Sequence, residues 1–353
     1  MKDMYIIPIF IPHMGCPFKC VFCNQNAITG QNLKIDEKFV RYTINSHLNT
    51  IPFKAKKEVS FFGGSFTGIP MEMQNLYLGI ANEYLKEKRI DAIRLSTRPD
   101  YINNEILDNL KRFDVSIIEL GVQSMVDDVL NKSHRGHTSM DVENAVKLIR
   151  EYDFKLGLQI MPGLPGDNLD RIRTTCNKVI KLKPEFVRIY PTLVVKGTYL
   201  EKMYEKGDYI PLTLDEAINI SKELYINFIK NDIDVIRIGL QPTENINYNG
   251  DVVAGPFHPS IGQLVESAVI YDILKDIFEK LNIKEKVLTI ITNPKFLSTV
   301  IGQKKVNKYL LEKEFNIDLF FRTSNKLNID DFALIFDKKI VRFSKINYLK
   351  RKL

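Results

Sequence analysis

Cysteine is scarce in this chain: four in 353 residues. A disulfide-stapled scaffold is therefore excluded as the organising principle, and a reducing compartment is expected, in which thiols stay free. Histidine is scarcer than its usual metal-binding roles would need, five in all, and none is spaced to form a ligand set with the cysteines. No window carries the ~20 unbroken apolar residues of a membrane span. The first ten residues, MKDMYIIPIF, lack the basic region, apolar stretch and small-residue cleavage site of a signal peptide and read as a strand. The expected location is the cytoplasm, with no membrane partner. Internal repeats and low-complexity segments are also missing. What remains is a chain 44% hydrophobic, long enough to bury a sizeable core.

Charge is unevenly placed. The net charge is +7, yet residues 284–353 hold 16 Lys+Arg against 7 Asp+Glu, which leaves 34 against 36 before them. A basic module of +9 follows a body of −2, the asymmetry expected of a polyanion-binding end on a near-neutral catalytic body.

Strand and helix patterns alternate six times at about 30-residue spacing from MYIIPIFI (4–11) to FVRIYPT (186–192). This predicts an α/β chain with a parallel sheet, coiled into a partial (β/α)6 TIM-like barrel. The strands end in GGSFTG, STRPD, GVQS, MPGLPG and YPT. Ligands of such folds sit at the carboxyl ends of the strands, so these turns point to one shared site. A helix and loop extension is expected over 213–283, including a loop of about 20 residues ending near 260, after the barrel of 1–212. Residues 284–353 are expected to form a small α+β module.

Three of the four cysteines crowd into HMGCPFKCVFCNQ: Cys16, Cys20 and Cys23, as C-x-x-x-C-x-x-C. The fourth, Cys176, lies on a helix face with Ile172, Val179 and Ile180 and is expected to be a buried apolar group. A structural zinc site wants four ligands, usually in two separated pairs. One compact triplet suits a four-iron, four-sulfur (4Fe-4S) cluster instead, leaving one iron open to a ligand. Gly15 lends that loop freedom and Pro17 stiffens it, while Phe18 and Phe22 are placed to shield a cluster from water.

C-x-x-x-C-x-x-C after a first strand resembles the signature of the radical SAM enzymes. The resemblance implies a 4Fe-4S cluster on Cys16, Cys20 and Cys23, S-adenosyl-L-methionine on the open iron, and reductive cleavage to a 5′-deoxyadenosyl radical. It also implies an electron donor such as a flavodoxin or ferredoxin. Carried over position by position, the cofactor would meet Gly63, Gly64 and Ser65 after the second strand and Thr97 and Arg98 after the third. Gln123 after the fourth, Arg135 in RGHT and Met161 after the fifth complete the set. The family often has a Glu after its two glycines; here it is Ser65. The stretches STRPDY, GVQS, RGHT, MPGLPG and RIYPTLVVKGT resemble more narrowly the catalytic subunit of Elongator, which modifies the wobble uridine of tRNA. That likeness implies tRNA as substrate and adds Tyr190 and Lys196 as catalytic candidates. The Elongator subunit spaces its cysteines differently and carries an acetyltransferase domain, which 284–353 is too short and too basic to be, so acetyl-CoA chemistry is not expected of this sequence.

The order strand, helix, Gly302-Gln303-Lys304-Lys305, helix, strand resembles a KH-type RNA-binding module, in which a GXXG turn clamps the nucleotide backbone. Here the second glycine is a lysine. Gly302, Lys304, Lys305 and Lys308 are the RNA-binding candidates. His258 is a possible proton donor and His137 a candidate to orient Arg135. Two other readings stay open: a radical enzyme acting on a small molecule or peptide, and a non-enzymatic iron–sulfur RNA-binding scaffold.

Overall fold

The computed structural model describes residues 4–11, 20–24, 35–243, 246–247, 250–281, 283, 285–336 and 339–351. Cys16, His13, Gly15, Pro17 and Phe18 lie outside them. The chain divides into two compact units, Met1–Leu212 with Leu240–Phe257, and Thr213–Gly239 with His258–Leu353.

The first unit is an α/β partial barrel. Its six strands β1 (Met4–Ile11), β2 (Lys56–Gly63), β3 (Ala92–Thr97), β4 (Ile117–Gln123), β5 (Lys155–Ile160) and β6 (Phe186–Ile189) lie side by side in chain order. Each neighbouring pair is parallel. Parallel neighbours need a crossover, and helices supply it: α1 (Glu37–Leu48), α2 (Met71–Lys86), α3 (Asn104–Arg112), α4 (Asp127–Lys132), α5 (Ser139–Glu151) and α6 (Leu169–Leu182). The starts are set by side chains. Asp36, Asn103 and Asn168 accept the backbone N–H three residues on, and Thr138 with Asp141 forms a capping box. Cys176 is buried in α6 beside Ile172 and Val179, as expected. A two-residue strand β7 (Val194–Val195) precedes α7 (Tyr199–Glu205).

The inner face of this sheet is polar at mid-height. Arg94 on β3 donates to Glu58 on β2 at 2.5 Å and to Glu119 on β4 at 2.9 Å. Arg188 on β6 donates to both oxygens of Glu119, at 2.6 and 3.0 Å. All four are buried. The ladder crosses β5 at Gly157, whose missing side chain is required: a Cβ there would lie 2.2 Å from the Phe186 ring, over which Arg94 sits.

The second unit packs α8 (Leu214–Lys230) and α9 (Ile261–Leu281) with a four-stranded sheet in one apolar cluster. The unit also holds strand β8 (Asp234–Ile238). Within the first unit, β9 (Val252–Ala254) pairs antiparallel with β7. The predicted 20-residue loop therefore contains a strand; its three residues are too few for an alternation pattern to register. The sheet of the second unit contains β10 (Val287–Thr292), β11 (Asp318–Thr323), β12 (Asp331–Phe336) and β13 (Lys339–Ser344), in the order β11-β10-β12-β13. β10 and β11 are parallel neighbours, joined through α10 (Leu297–Ile301), the Gly302–Lys305 turn and α11 (Val306–Phe315). A closing helix, α12 (Lys345–Arg351), was not expected from the sequence. Its first residue, Lys345, is buried, paired with Asp330 at 2.7 Å and Glu266 at 3.6 Å.

Candidate functional site

Cys20 and Cys23 stand on a short described loop past the carboxyl end of β1. Three backbone ties fix it. Val21 donates to the Ser133 carbonyl at 3.1 Å, Leu200 donates to the Val21 carbonyl at 2.7 Å, and Cys23 donates back to Cys20 at 3.0 Å. The Asn24 amide adds a bond to the Lys196 carbonyl at 2.6 Å. Phe22, expected to shield a cluster, packs on Val21, Val194, Leu200 and Tyr209. The loop is thus clamped between the RGHT turn and the segment that carries Lys196, whose side chain is exposed.

Arg135 reaches into this loop. Its Nη1 donates to the Cys20 sulfur at 3.6 Å and its Nη2 to the Gly121 carbonyl at 2.8 Å. A Cβ on Gly121 would meet the Arg135 and Gln123 side chains at 2.9 Å, so the absence of one opens the approach. The Arg135 Nε is buried and has no acceptor among the described residues. A cation beside a sulfur ligand, with one N–H still to satisfy, suits an anionic cluster with an anionic ligand beside it. The donor chemistry therefore fits the thiolate-held group that the sequence implies, although Cys16 lies outside the described residues.

The other strand ends are ordered among themselves. The Ser65 hydroxyl lies 2.6 Å from the Thr97 hydroxyl and accepts the Arg98 N–H at 3.1 Å; Thr67 also lies 2.6 Å from Thr97. Arg98 forms a two-pronged pair with Asp100, 2.9 Å on each prong. Gly64 donates to the Ile11 carbonyl, tying the glycine turn after Gly63 to β1. At Gln123 the register slips, φ is +68°, and the side-chain oxygen accepts from Gln159 at 2.8 Å. Such a bulge re-aims a side chain at a strand end. Met161 donates its N–H to the Gln123 carbonyl. Tyr190 is half-buried, its phenol 3.4 Å from Nη1 of Arg188.

His137 does not hydrogen-bond to Arg135. Its Nε2 faces the Val122 carbonyl at 3.3 Å and its Nδ1 lies 3.9 Å from Asp100. Burial, with Arg135 and Arg98 nearby, pushes its pKa down to about 3, so the imidazole is neutral at ordinary pH.

Two features escaped the sequence reading. One is the ion ladder: a charge in the middle of a strand reads as solvent-facing when the sheet's curvature is unknown. The other is Asp167, which accepts the Gly163 and Asn168 N–H groups inside the MPGLPGD turn. Burial raises its pKa to about 6. The signal was present as an Asp following two Gly-bearing turns.

In the second unit the Gly302–Lys305 turn has φ of +83° at Gly302, +51° at Lys304 and +65° at Lys305. Both lysines are exposed. Lys308 is engaged, donating to the Leu319 carbonyl at 2.8 Å and pairing with Glu312 at 3.2 Å. His258 bonds locally, to the Ser260 N–H and near Gln303.

Comparison with known proteins gives two family matches: the radical SAM superfamily model over residues 10–179 and the radical SAM C-terminal domain model over 184–270. The chain is 30% identical over 185 residues to a tRNA uridine(34) acetyltransferase of Methanocaldococcus jannaschii, a match covering 47% of this chain and 34% of that protein. It thus spans about a third of that relative's length. An uncharacterised protein of the same organism is 31% identical over 235 residues, 62% of this chain and 70% of that one. Human Elongator complex protein 3 is 28% identical over 174 residues, 44% of this chain and 32% of its own. Among solved structures, an N-terminally truncated archaeal Elp3 of Methanocaldococcus infernus shares the fold with a TM-score of 0.62 at 21% identity, over 81% of this chain and 65% of that one.

Proposed function

This chain belongs to the radical SAM superfamily, and on that premise we propose that it reductively cleaves S-adenosyl-L-methionine at a 4Fe-4S cluster in order to modify RNA, tRNA by class. The observation that carries the proposal is Arg135, whose guanidinium meets the Cys20 sulfur at the open end of the barrel. Cys16, Cys20 and Cys23 would hold the cluster. When bound, the cluster would supply the one electron for reductive cleavage of the cofactor's sulfonium, and hydrogen-atom abstraction from the substrate would be the chemistry this makes available. A flavodoxin or ferredoxin is the class of donor for that electron.

The residues of the chain have separable roles in this reading. Arg135 neutralises charge at the sulfur and offers its unpartnered Nε to a cofactor carboxylate. Gly63, Gly64 and Ser65 present backbone groups to the methionine end. Ser65 is tied to Thr97 and the Arg98 N–H, so this corner is preorganised. Gln123 and Met161, joined by a backbone bond, form the wall for the nucleoside. Tyr190 on the inner face and Lys196 beside the cysteine loop are positioned toward substrate. Gly302, Lys304 and Lys305 form the RNA-facing turn and Lys308 follows it on the first turn of α11, with phosphate attraction from the two exposed lysines and the N-terminus of α11. The relatives named as tRNA uridine(34) acetyltransferases support RNA as the substrate class.

The test is anaerobic. Reconstituted protein receives S-adenosylmethionine and dithionite, with and without bulk tRNA, and 5′-deoxyadenosine is quantified by chromatography. Product that rises with tRNA and vanishes in Cys20→Ala is expected. Product indifferent to tRNA would retain the radical reaction and remove RNA. No product from a protein with an iron-confirmed cluster would overturn the enzymatic reading.

A further inference from the structure

The sheet of the second unit has two faces with different fates. Its register puts Leu288, Ile290, Leu319, Phe332 and Leu334 on one side, and all five are buried in the core of that unit. The alternate positions therefore point the other way. They form two rows across all four strands. The first reads Phe320, Thr289, Ile335, Ile340; the second reads Arg322, Ile291, Ala333, Arg342. None of these eight belongs to the core cluster. On the two outer strands Phe320 is 56% exposed and Ile340 61%, and both arginines are exposed; between them Ala333 is buried and Thr289, Ile291 and Ile335 are half-buried. Neither arginine forms an ion pair with a described residue, while most arginines of the first unit are paired. The carboxylates at outward positions, Asp318 and Asp331, sit at opposite ends of the face, outside the two rows.

An exposed aromatic and an exposed isoleucine standing beside two exposed arginines on the same sheet face make a candidate interaction surface. We infer that this face is a platform for single-stranded RNA, on which bases stack against Phe320 and the planes of Arg322 and Arg342 while the guanidinium groups draw phosphate. Charge selects the occupant. The face lies in a 70-residue stretch of +9, and two arginines stand on the face itself. Two copies meeting face to face would press like charges together, whereas a polyanion relieves them. Lys308, with its Nζ 5.9 Å from the centre of the Phe320 ring, is already paired with Glu312 and adds no net charge to the face. The choice of RNA over a protein partner rests on the function proposed above. The platform differs from the Gly302–Lys305 turn: that turn joins the two helices of the crossover, and α10 and α11 pack on the sheet's other face through Val300 and Leu311.

The test is fluorescence anisotropy of the full chain with a fluorescein-labelled single-stranded oligoribonucleotide and with its duplex. Arg322→Gln/Arg342→Gln is expected to weaken single-strand binding at least tenfold and to reduce the salt slope by about 1.4, at roughly 0.7 per phosphate contact for a single strand. Phe320→Ala should weaken it roughly fivefold or more and Phe320→Trp restore it. Lys147→Gln, in the first unit, serves as the control and should change nothing. Unaltered binding by the double variant and by Phe320→Ala overturns the inference. So does light scattering that finds a dimer broken by Ile340→Glu, since the face would then belong to a second copy. The same variants assayed for 5′-deoxyadenosine separate the two ideas. Stimulation by tRNA without any effect of the face removes the platform and leaves the reaction. Face-dependent RNA binding without cofactor cleavage keeps the platform and removes the reaction.

Discussion

His137 shows how a single side chain constrains this site. Its folded pKa of about 3 lies below the ordinary value of 6.5. Between those two values the unfolded chain binds a proton that the folded chain refuses. Stability is therefore intact above about pH 6.5 and declines as pH falls toward 3. His137→Gln is expected to flatten that acid-side slope in unfolding curves recorded at several pH values, while leaving neutral-pH stability within about 1 kcal/mol. Arg135 makes a second case. Lysine cannot reach both the sulfur and the Gly121 carbonyl with a planar fork, so Arg135→Lys should raise the KM for S-adenosylmethionine more than it lowers the turnover. A lower turnover with an unchanged KM would instead mark a loss of folded protein. The cysteine triplet stands out in the sequence because chemistry leaves few uses for three close thiols, and of the three the structure describes Cys20 and Cys23. Asp167 and Arg188 do not stand out, since nothing in a local window reports burial at a turn or a partner on a strand that is not the next one along.

Elements were read well where the pattern was long. All six barrel strands and the crossover helices carry a signal of apolar runs broken by Gly, Pro and capping residues. The misses are short or tertiary in origin. Among the described residues β9 pairs with β7, and α12 is anchored by the buried Lys345, which a sequence pattern reads as one more surface charge. Gly157 belongs to this scale because it lets β5 pass under the Phe186 ring. Gly157→Val would drive carbon into that ring. The expected cost is about 1–3 kcal/mol, read from the midpoint of urea denaturation with unchanged slope, and Gly157→Ala should cost less than the valine.

For the whole molecule, charge is the organising asymmetry. The first 283 residues are near neutral and the last 70 strongly basic, so RNA affinity should fall steeply with salt while cofactor affinity should hardly move. Parallel titrations at 50 and 200 mM salt would check this; equal salt dependence of both would place the polyanion contact in the barrel. The sequence reports that asymmetry by counting alone. It does not report the open sheet face, because an apolar residue facing outward looks the same in sequence as one facing in until the register is known.

The mid-height ladder ties strand to strand where backbone pairing alone would let them separate singly. Glu119 holds two guanidinium groups from opposite sides, and Glu58 secures the far one. Glu119→Ala would strand Arg188 in the interior and leave Arg94 with Glu58 alone, at a cost of about 3–5 kcal/mol, measurable by urea unfolding. The same geometry acts as a hoop. β2, β3, β4 and β6, with β5 held between the last two, open together or not at all, so the amides of these strands should exchange with solvent in one cooperative step.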